Sequence, residues 1–511
     1  MRFRYLPLCV SLLLPVLASA AESSPLASSP SEFVRAQAGS PVHWHAWNDA
    51  TLAEAKAANK SVYVFIGSPL SELARATINQ TFTSAKTVEW LNQNFFCIFV
   101  DGDARPDLAS YGQHYIRTVK QLQGVPVHLW LTPDLQPYDG ANYLPPSEEW
   151  GKPGFLKAAR SALDTWTADP ARARAFAKEA LGMMRVLPLA ANTTVDASAR
   201  LEVGAKSWIA SIDPVNGGFG SAPKQPEPDV IRFLLARGDA ASRDAALNAA
   251  RALVKGAARD ATDGGFYRRC IDEAWKEPYY QKTLLDQVRI ALALFDAADA
   301  GKDDTLRQAA IGALDFSLKE LRNADGSFVA ALDGTLEENA DPAKRPHFAR
   351  VGVASTGARA LLVLALQRSG EKRFTALAAQ LGEGLRRQLA ADGGVPHQGL
   401  DVGAGTAFDH LAVARAFRAL GDNAAADRLV ALANARFFDA ATGAYQASPA
   451  QLPPGLAARV PAYGDTPIAE ILALRTGVDA KTAAAIRAAL VAGIEYDDQP
   501  PGDVLLGLVS K

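Results

Sequence analysis

The chain has 511 residues, 49% of them apolar, and a formal net charge of −2 at pH 7. That length exceeds one ordinary hydrophobic core, so two or three domains are expected. The nearly balanced charge excludes the strongly basic surface that nucleic-acid binding requires, and the composition is that of a globular protein.

Residues 1–20 have the pattern of a secretory signal peptide. Arg2 and Arg4 precede an apolar run at 5–17, and small residues at 18–20 suit a cleavage site. No later run is long enough to span a bilayer. We therefore expect a periplasmic or secreted protein without a transmembrane segment after cleavage.

Residues 24–169 alternate short apolar runs with helical patterns. The runs, which predict buried strands, lie at 61–66, 95–100 and 126–131. The helical patterns lie at 50–59, 84–94 and 108–122, with Ser84 as an N-cap. This order predicts a small α/β sheet domain. Pro126 begins the third strand and is a candidate cis-proline, and a proline-containing turn at 132–134 predicts a hairpin.

Several segments of this domain resemble the spermatogenesis-associated protein 20 family. They lie at 40–47, 66–68, 91–95, 104–107, 131–134 and 143–146. That family joins a thioredoxin-like domain to an all-α toroid related to six-hairpin glycosidases. The resemblance covers most of the mature chain and implies an α/β thioredoxin-like domain followed by an (α/α)6 toroid.

The chain departs from the family at the redox motif. Ser71 and Ala74 stand where family members carry a Cys-x-x-Cys pair. Thiol–disulfide exchange needs one thiolate to attack and a second thiol to resolve, so we predict a redox-inactive domain. Beyond the signal segment only Cys97 and Cys270 remain. Two buried thiols are the simpler interpretation, and a disulfide between them is the alternative.

Metal and cofactor binding are not expected. His43 and His45 lie on one side of an extended segment and could hold a metal ion, but no third ligand is close in sequence. His128, next to the candidate cis-proline, is interpreted as a strand residue.

Residues 170–198 predict a helical linker, and helices dominate residues 199–511. A glycine-centred turn recurs within this second domain at 216–219, 263–266, 325–328, 392–395 and 442–445. The spacing leaves room for two helices between turns. Five such turns predict a closed ring of helical hairpins with the turns converging on a central pocket. The alternative places the turns at scattered surface corners.

The second domain also resembles the family at 217–224 and within 264–287. Two positions differ, because family members usually have histidine where Tyr279 stands and glutamate where Gln281 stands. A histidine and a carboxylate could act as acid and base. Tyrosine and glutamine exchange protons poorly near neutral pH.

The segment 263–287 is the densest mixture of glycine, aromatic and charged residues, so it is the predicted site. A carbohydrate-like ligand needs an apolar wall and a few placed polar groups. The residues predicted to bind it are Phe219, Lys224, Tyr267, Arg268, Trp275, Tyr279, Gln287 and Asp409. Asp272 and Asp286 are the carboxylates predicted to be catalytic if the protein is a glycosidase. The alternative makes Lys282 and Asp286 a surface ion pair on one helix, with the aromatic residues in the core.

The leading hypothesis is a redox-inactive, exported protein whose toroid binds a carbohydrate-like ligand. One alternative is an active sugar-processing enzyme, a glycoside hydrolase or an epimerase, that uses Asp272 and Asp286. Another is a protein-interaction scaffold that docks peptides on the Ser71 and Pro126 loops. No nucleic-acid partner is expected.

Overall fold

A computed structural model describes residues 24–185, 196–335, 347–398, 405–449, 455–456, 460, 477–494 and 497–509. The predicted signal peptide at 1–20 lies outside the described residues. None of the described helices combines the length and the apolar character needed to cross a membrane.

The first domain is built on a mixed five-stranded sheet with the strand order β1-β3-β2-β4-β5. Strands β1 and β2 run parallel to β3, whereas β4 is antiparallel to both β2 and β5. The three predicted strands and the hairpin are confirmed. The strands are β1 (Trp44–Ala46), β2 (Val62–Gly67), β3 (Phe96–Asp101), β4 (Val127–Leu131) and β5 (Pro137–Ala141).

Helices cover both faces of this sheet, so β2, β3 and β4 are buried throughout. Helices α4 and α6 pack on one face, and α2 and α5 on the other. The helices are α1 (Glu32–Arg35), α2 (Asp49–Ala58), α3 (Glu72–Ala76), α4 (Ala85–Asn94), α5 (Pro106–Lys120), α6 (Phe155–Ala168) and α7 (Pro170–Met183). Helix α7, within the segment predicted as a linker, packs against β5 and α5 of this domain.

The second domain is a ring of paired helices. Among the described helices, α9 packs on α11, α11 on α13 and α13 on α15, while α18 packs on α9. Helices α10, α12, α14 and α16 pack outside them. The helices are α8 (Ala197–Ala210), α9 (Pro228–Arg237), α10 (Ala240–Lys255), α11 (Leu284–Gly301), α12 (Asp304–Phe316), α13 (Thr356–Arg368), α14 (Lys372–Arg387), α15 (Ala407–Ala419), α16 (Asn423–Phe437), α17 (Ala480–Gly493) and α18 (Gly502–Val509).

Burial of the inner helices agrees with this ring. Helices α11, α13 and α15 are buried along most of their length, which explains why their sequences are apolar on nearly every side. The predicted fold class, a thioredoxin-like domain followed by an α/α toroid, is confirmed.

The five glycine turns share one local geometry. Each turn has a glycine with positive φ, between 70° and 87°, at positions 217, 264, 326, 393 and 443. Each turn follows an outer helix, so all five lie at the same end of the ring. Two of these glycines also pack closely on the next outer helix: a Cβ on Gly217 would lie 2.6 Å from Ala252 Cβ, and one on Gly443 would lie 2.7 Å from Ala485 O. Glycine is needed there for close helix packing as well as for the turn.

One part of the toroid differs from the helical prediction. Residues 281–283 form a strand, and helix α11 begins at Leu284. This strand, β6 (Gln281–Thr283), pairs with β7 (Val329–Thr335), which pairs with β8 (His347–Val353), all antiparallel. Two further strands of two residues each, β9 (Phe438–Asp439) and β10 (Ala444–Tyr445), form the fifth turn.

Candidate functional site

The two domains meet at the carboxyl ends of β2 and β3. Helices α3 and α4, which follow β2, lie on one face of the sheet, and α5, which follows β3, lies on the other. Because the chain leaves these two neighbouring strands toward opposite faces, a crevice lies between their ends, and α/β sheets commonly bind ligands in such a crevice. Here it contains Ser68 and Asp103, and Ser68 Oγ donates a hydrogen bond of 2.8 Å to Asp103 Oδ2.

The toroid covers this crevice with its strand-bearing end. Gln398 Nε2 donates to the backbone carbonyl of Asp103 at 3.0 Å, and Gln281 Nε2 donates to that of Leu70 at 3.1 Å. Arg75 forms an ion pair of 2.5 Å with Asp333 on β7. We call this contact between the carboxyl ends of β2 and β3 and the toroid the domain junction.

Two carboxyl groups of β3 and its following turn carry shifted pKa values at the junction. Burial raises the pKa of Asp101, whose oxygens accept hydrogen bonds from Ser31 Oγ at 2.6 Å and from the backbone N–H of Asp103 at 3.0 Å. Burial, and then the charge of Asp101, raise the pKa of Asp103 to about 7 against the opposing effects of Ser68, His397 and Arg268. Asp103 therefore gains and loses its proton near neutral pH.

A buried Asp–His pair of the toroid faces the same carboxyl groups. His397 Nδ1 donates to Asp409 Oδ2 at 2.7 Å. The Asp409 carboxylate is fully buried and also accepts from the backbone N–H groups of Gly357 and Thr406, each at 2.8 Å. Burial opposes its ionisation, but His397 and these donors outweigh burial and lower the pKa of Asp409. Asp409, predicted to bind ligand, is thus the residue that orients His397.

Lys282 is the buried cation of the predicted site. Its Nζ lies 2.7 Å from Asp260 Oδ2 and 2.8 Å from both oxygens of Asp263. The ring of Tyr267 lies 4.4 Å from Nζ, and the tyrosine hydroxyl donates to Asp260 at 2.8 Å. The alternative of a surface Lys282–Asp286 pair is wrong, because Lys282 lies on β6 and points into the core.

Four of the predicted ligand-binding residues are buried and hold the glycine turns. Lys224 Nζ contacts Asp213 at 2.5 Å and Gly217 O at 3.0 Å, and Trp275 Nε1 donates to Gly217 O at 3.1 Å. Gln287 bonds both backbone groups of Phe266, at 2.8 and 2.6 Å. Phe219 packs edge-to-face on Trp208. In the structure these side chains contact protein.

Other predicted site residues keep contact with solvent. Arg268 is 51% exposed, donates to Gln281 Oε1 at 3.0 Å and lies 3.9 Å from Asp286. Tyr279 is half-buried beneath the Arg269 guanidinium, at 4.6 Å. Their binding of a ligand stays a prediction.

The two carboxylates predicted to be catalytic have local partners. Asp286 accepts from Thr283 Oγ1 at 2.7 Å at the start of α11. Asp272 accepts from the backbone N–H groups of Ala274, Lys276 and Glu277 and so closes its own turn. Backbone donors of this kind favour the ionised form, and the pKa of Asp272 is lowered although burial opposes this. Catalysis by this pair also stays a prediction.

Ser71 and Ala74, the two positions at issue in the predicted loss of redox activity, both stabilise the loop that follows β2. Ser71 caps α3 by accepting from the N–H of Ala74 at 3.2 Å, and its Oγ donates to Val125 O at 3.3 Å. The Val125–Pro126 peptide bond is cis, and Ala74 is buried. Cys97 and Cys270 are free and buried, and burial raises the pKa of each thiol.

Metal ligands do not cluster in the described parts of the chain. No group of three or more His, Cys, Asp and Glu side chains there could hold a metal ion. His45 instead contacts Cys97 O through Nδ1 at 3.1 Å and stacks on Phe96. His128 bonds Tyr63 in the sheet core.

The comparisons with known proteins agree with the two-domain architecture. Residues 23–185 match a family model described as a protein of unknown function, DUF255. Spermatogenesis-associated protein 20 of Mus musculus is 26% identical over 333 residues, which cover 60% of this chain and 40% of that protein. Its Homo sapiens counterpart is 25% identical over 322 residues, which cover 59% and 40%. The chain thus spans about two fifths of the length of these relatives.

Solved structures similar to this chain include sugar-acting proteins. Cellobiose 2-epimerase from Bacillus thermoamylovorans is 12% identical, with a TM-score of 0.47, over 61% of this chain and 97% of that one. A GH76 α-mannanase from Bacteroides thetaiotaomicron is 12% identical, with a TM-score of 0.42, over 62% and 95%. Residues 23–185 are similar to the DUF255 family, and the chain is similar to the spermatogenesis-associated protein 20 family, as its sequence indicated.

Proposed function

We propose that this is a redox-inactive, exported protein that binds a carbohydrate-like ligand where the toroid faces the thioredoxin-like domain. One observation carries this proposal: the half-exposed Arg268 is held by Gln281 and Asp286 beside the Asp103 carboxyl group. This arrangement places hydrogen-bond donors and acceptors from both domains around one position. Sugar hydroxyls need both kinds of partner.

The aromatic contribution to this site comes from Tyr279. Its ring is half-buried, so one side of it can pack against a sugar ring while Arg269 covers the other. The more deeply buried Tyr267, Trp275 and Phe219 support the turns behind the site.

A glycan-binding screen tests the proposal. Purified wild-type protein is titrated with neutral and charged mono- and oligosaccharides, and any hit is repeated with Arg268→Ala and Asp286→Asn. We expect each substitution to weaken binding by about tenfold, because each removes a polar partner of the ligand. Arg243→Ala on α10 and Asp304→Asn at the start of α12 are matched controls and should bind as wild type. Failure of the wild type to bind any sugar refutes the proposal.

A second candidate is a sugar-processing enzyme, favoured by one specific observation. Asp103, with a pKa of about 7, and His397, oriented by Asp409, are an acid and a base at the same junction. Such a pair could move protons on a bound sugar. Asp103→Asn should then lower the rate of product formation at saturating sugar, followed by NMR on the hits of the screen, by about a hundredfold or more, far beyond its effect on binding. Equal turnover by wild type and variant would rule out this role.

A further inference from the structure

A groove on the thioredoxin-like domain lies apart from the domain junction. Its cavity volume is about 510 Å³, and it is bounded by the end of edge strand β5 and the start of α6. Polar side chains in its lining include Lys120, Asp139, Asn142, Tyr143, Lys152 and Lys157. None of these residues takes part in the contacts between the domains described above.

Trp150 stands at the rim of this groove in an unfavourable backbone conformation. Glu149 and Lys152 exchange two backbone hydrogen bonds of 3.2 and 2.9 Å, so Trp150 and Gly151 are the central residues of a tight turn. Both have positive φ, 51° and 70°. Asparagine or glycine normally occupies the first of these positions, and a tryptophan there is strained. The side chain is nevertheless 72% exposed, so the strain is not offset by burial.

The aromatic surface continues into the groove. The ring of Tyr143 lies 6.4 Å from that of Trp150, at an interplanar angle of 34°. Trp130 lies at the groove floor and is 1% exposed, and its buried Nε1 has no hydrogen-bond partner among the described residues.

The charges of the lining favour an anionic ligand. Three lysines and one aspartate line the groove. Lys120 pairs with Asp139 at 2.8 Å, and Lys157 pairs with Glu148 at 2.8 Å. Lys152 Nζ contacts only neutral oxygens, Asn142 Oδ1 at 3.0 Å and Tyr143 O at 3.3 Å, and the described residues place no carboxylate in ion-pair contact with it. A carboxylate on the ligand would accept a hydrogen bond from Lys152 Nζ and form an ion pair with it.

The remaining groups select a hydroxyl-bearing ring over a phosphate-rich one. Asp139 and the Asn142 carbonyl accept hydrogen bonds, so they suit the several hydroxyl donors of a sugar ring, which a phosphate group does not offer. One open aromatic face suits the apolar side of a sugar ring. We propose that this groove binds an acidic saccharide, with a sugar ring against Trp150 and its carboxylate at Lys152.

The proposal is tested by titration with a trimer of galacturonic acid, using tryptophan fluorescence and calorimetry. Trp150→Ala and Lys152→Gln should each weaken binding by about tenfold. The neutral trimer of galactose should bind the wild type more weakly and be insensitive to Lys152→Gln. Phe176→Ala and Lys178→Gln, which remove an exposed phenyl ring and an exposed ammonium group from α7, are controls and should change nothing.

Three outcomes would overturn the proposal. They are absence of galacturonate binding by the wild type, undiminished binding by both folded groove variants, and tighter binding of AMP than of the galacturonate trimer at the same residues. Circular dichroism establishes that each variant is folded. Because Arg268 lies outside the groove, Arg268→Ala should leave this binding unchanged, so the groove can fail or succeed independently of the toroid site.

Discussion

Gln281 Nε2 in the toroid donates hydrogen bonds of 3.1 Å to both the backbone carbonyl of Leu70 and the carboxylate of Asp333. Leu70 belongs to the loop that carries Ser71 and Ala74. Both acceptors lack a proton to donate, so the side chain between them must be an amide and not a carboxylate. The glutamine that departs from the usual family residue therefore joins the two domains.

The first prediction concerns this amide. Gln281→Glu keeps the shape but removes the donor and places a negative charge beside Asp333, so the junction should lose about 2–4 kcal/mol. Hydrogen exchange of the 69–75 loop should become faster, as measured by mass spectrometry. Gln80→Glu, an exposed substitution in the same domain, is the control. Equal exchange in the two variants would show that the amide does not hold the junction.

The second prediction concerns pH. The folded-state pKa of Asp103, about 7, lies above the ordinary carboxyl value of about 4. Its stabilising contribution is therefore complete below about pH 4 and is lost as the pH rises through about 7. Asp101 adds to this loss, while His397 and Arg268 oppose it.

Asp103→Asn stays neutral at every pH. Relative to wild type, its free energy of unfolding should rise by about 1–2 kcal/mol between pH 4.5 and pH 8. This is less than the free energy that corresponds to the whole change in the pKa of Asp103 on folding, because Asp103 keeps some solvent contact. Urea unfolding at the two pH values measures this difference. Asp49→Asn, on the exposed side of the same domain, should show no such change. If wild type and Asp103→Asn differ in free energy of unfolding by the same amount at both pH values, the role of Asp103 is contradicted.

The third prediction concerns the lost thiols. Wild-type protein should not reduce insulin disulfides, because the cysteines among the described residues, Cys97 and Cys270, are both buried. The double substitution Ser71→Cys with Ala74→Cys restores a thiol at the start of α3, where the helix dipole favours a thiolate.

We expect the double variant to form an intraloop disulfide and to gain insulin reduction. Ser71→Cys alone should form mixed disulfides without turnover, because it lacks the resolving thiol. Thiol-dependent turnover by the wild type would refute the redox-inactive assignment.

The fourth prediction concerns the buried lysine of the second turn. Lys282→Met leaves the carboxylates of Asp260 and Asp263 without their cation, and should destabilise the toroid by about 3–5 kcal/mol. Lys206→Met removes an exposed ion pair with Glu202 and should cost about 0.5 kcal/mol or less. Urea unfolding compares the two variants. Similar midpoints would mean that the network around Lys282 contributes little.

Much of the architecture could be predicted from sequence because it depends on local patterns. Apolar runs and helical periods located the strands and helices of the first domain, and a recurring glycine-centred sequence pattern located the turns of the second. Strand β6 was missed because its three residues precede an apolar helix without a break, and its pairing with β7 joins residues far apart in sequence. Lys282 was consequently assigned to the wrong element and the wrong environment.

The candidate site was less predictable, because it depends on how the domains meet. Asp103 and His397 come together only through the junction, and no spacing in the sequence signals that contact. Residues 263–287 were predicted to form the site because aromatic and charged residues are concentrated there. In the structure, several of these side chains stabilise the glycine turn. Asp409 was selected, whereas its partner His397, which the carboxylate orients, was not.

The contact between α18 and α9 also determines when the toroid can fold. Trp208 in α8 donates to Pro500 O at 2.8 Å across 292 residues, and Gly502 fits directly against Val230. The ribosome must therefore release nearly the whole toroid before the ring can close. The sheet of the thioredoxin-like domain pairs only strands between Trp44 and Ala141, so it can form earlier, but the core on one of its faces is completed by Leu456 and Val460 from late in the chain.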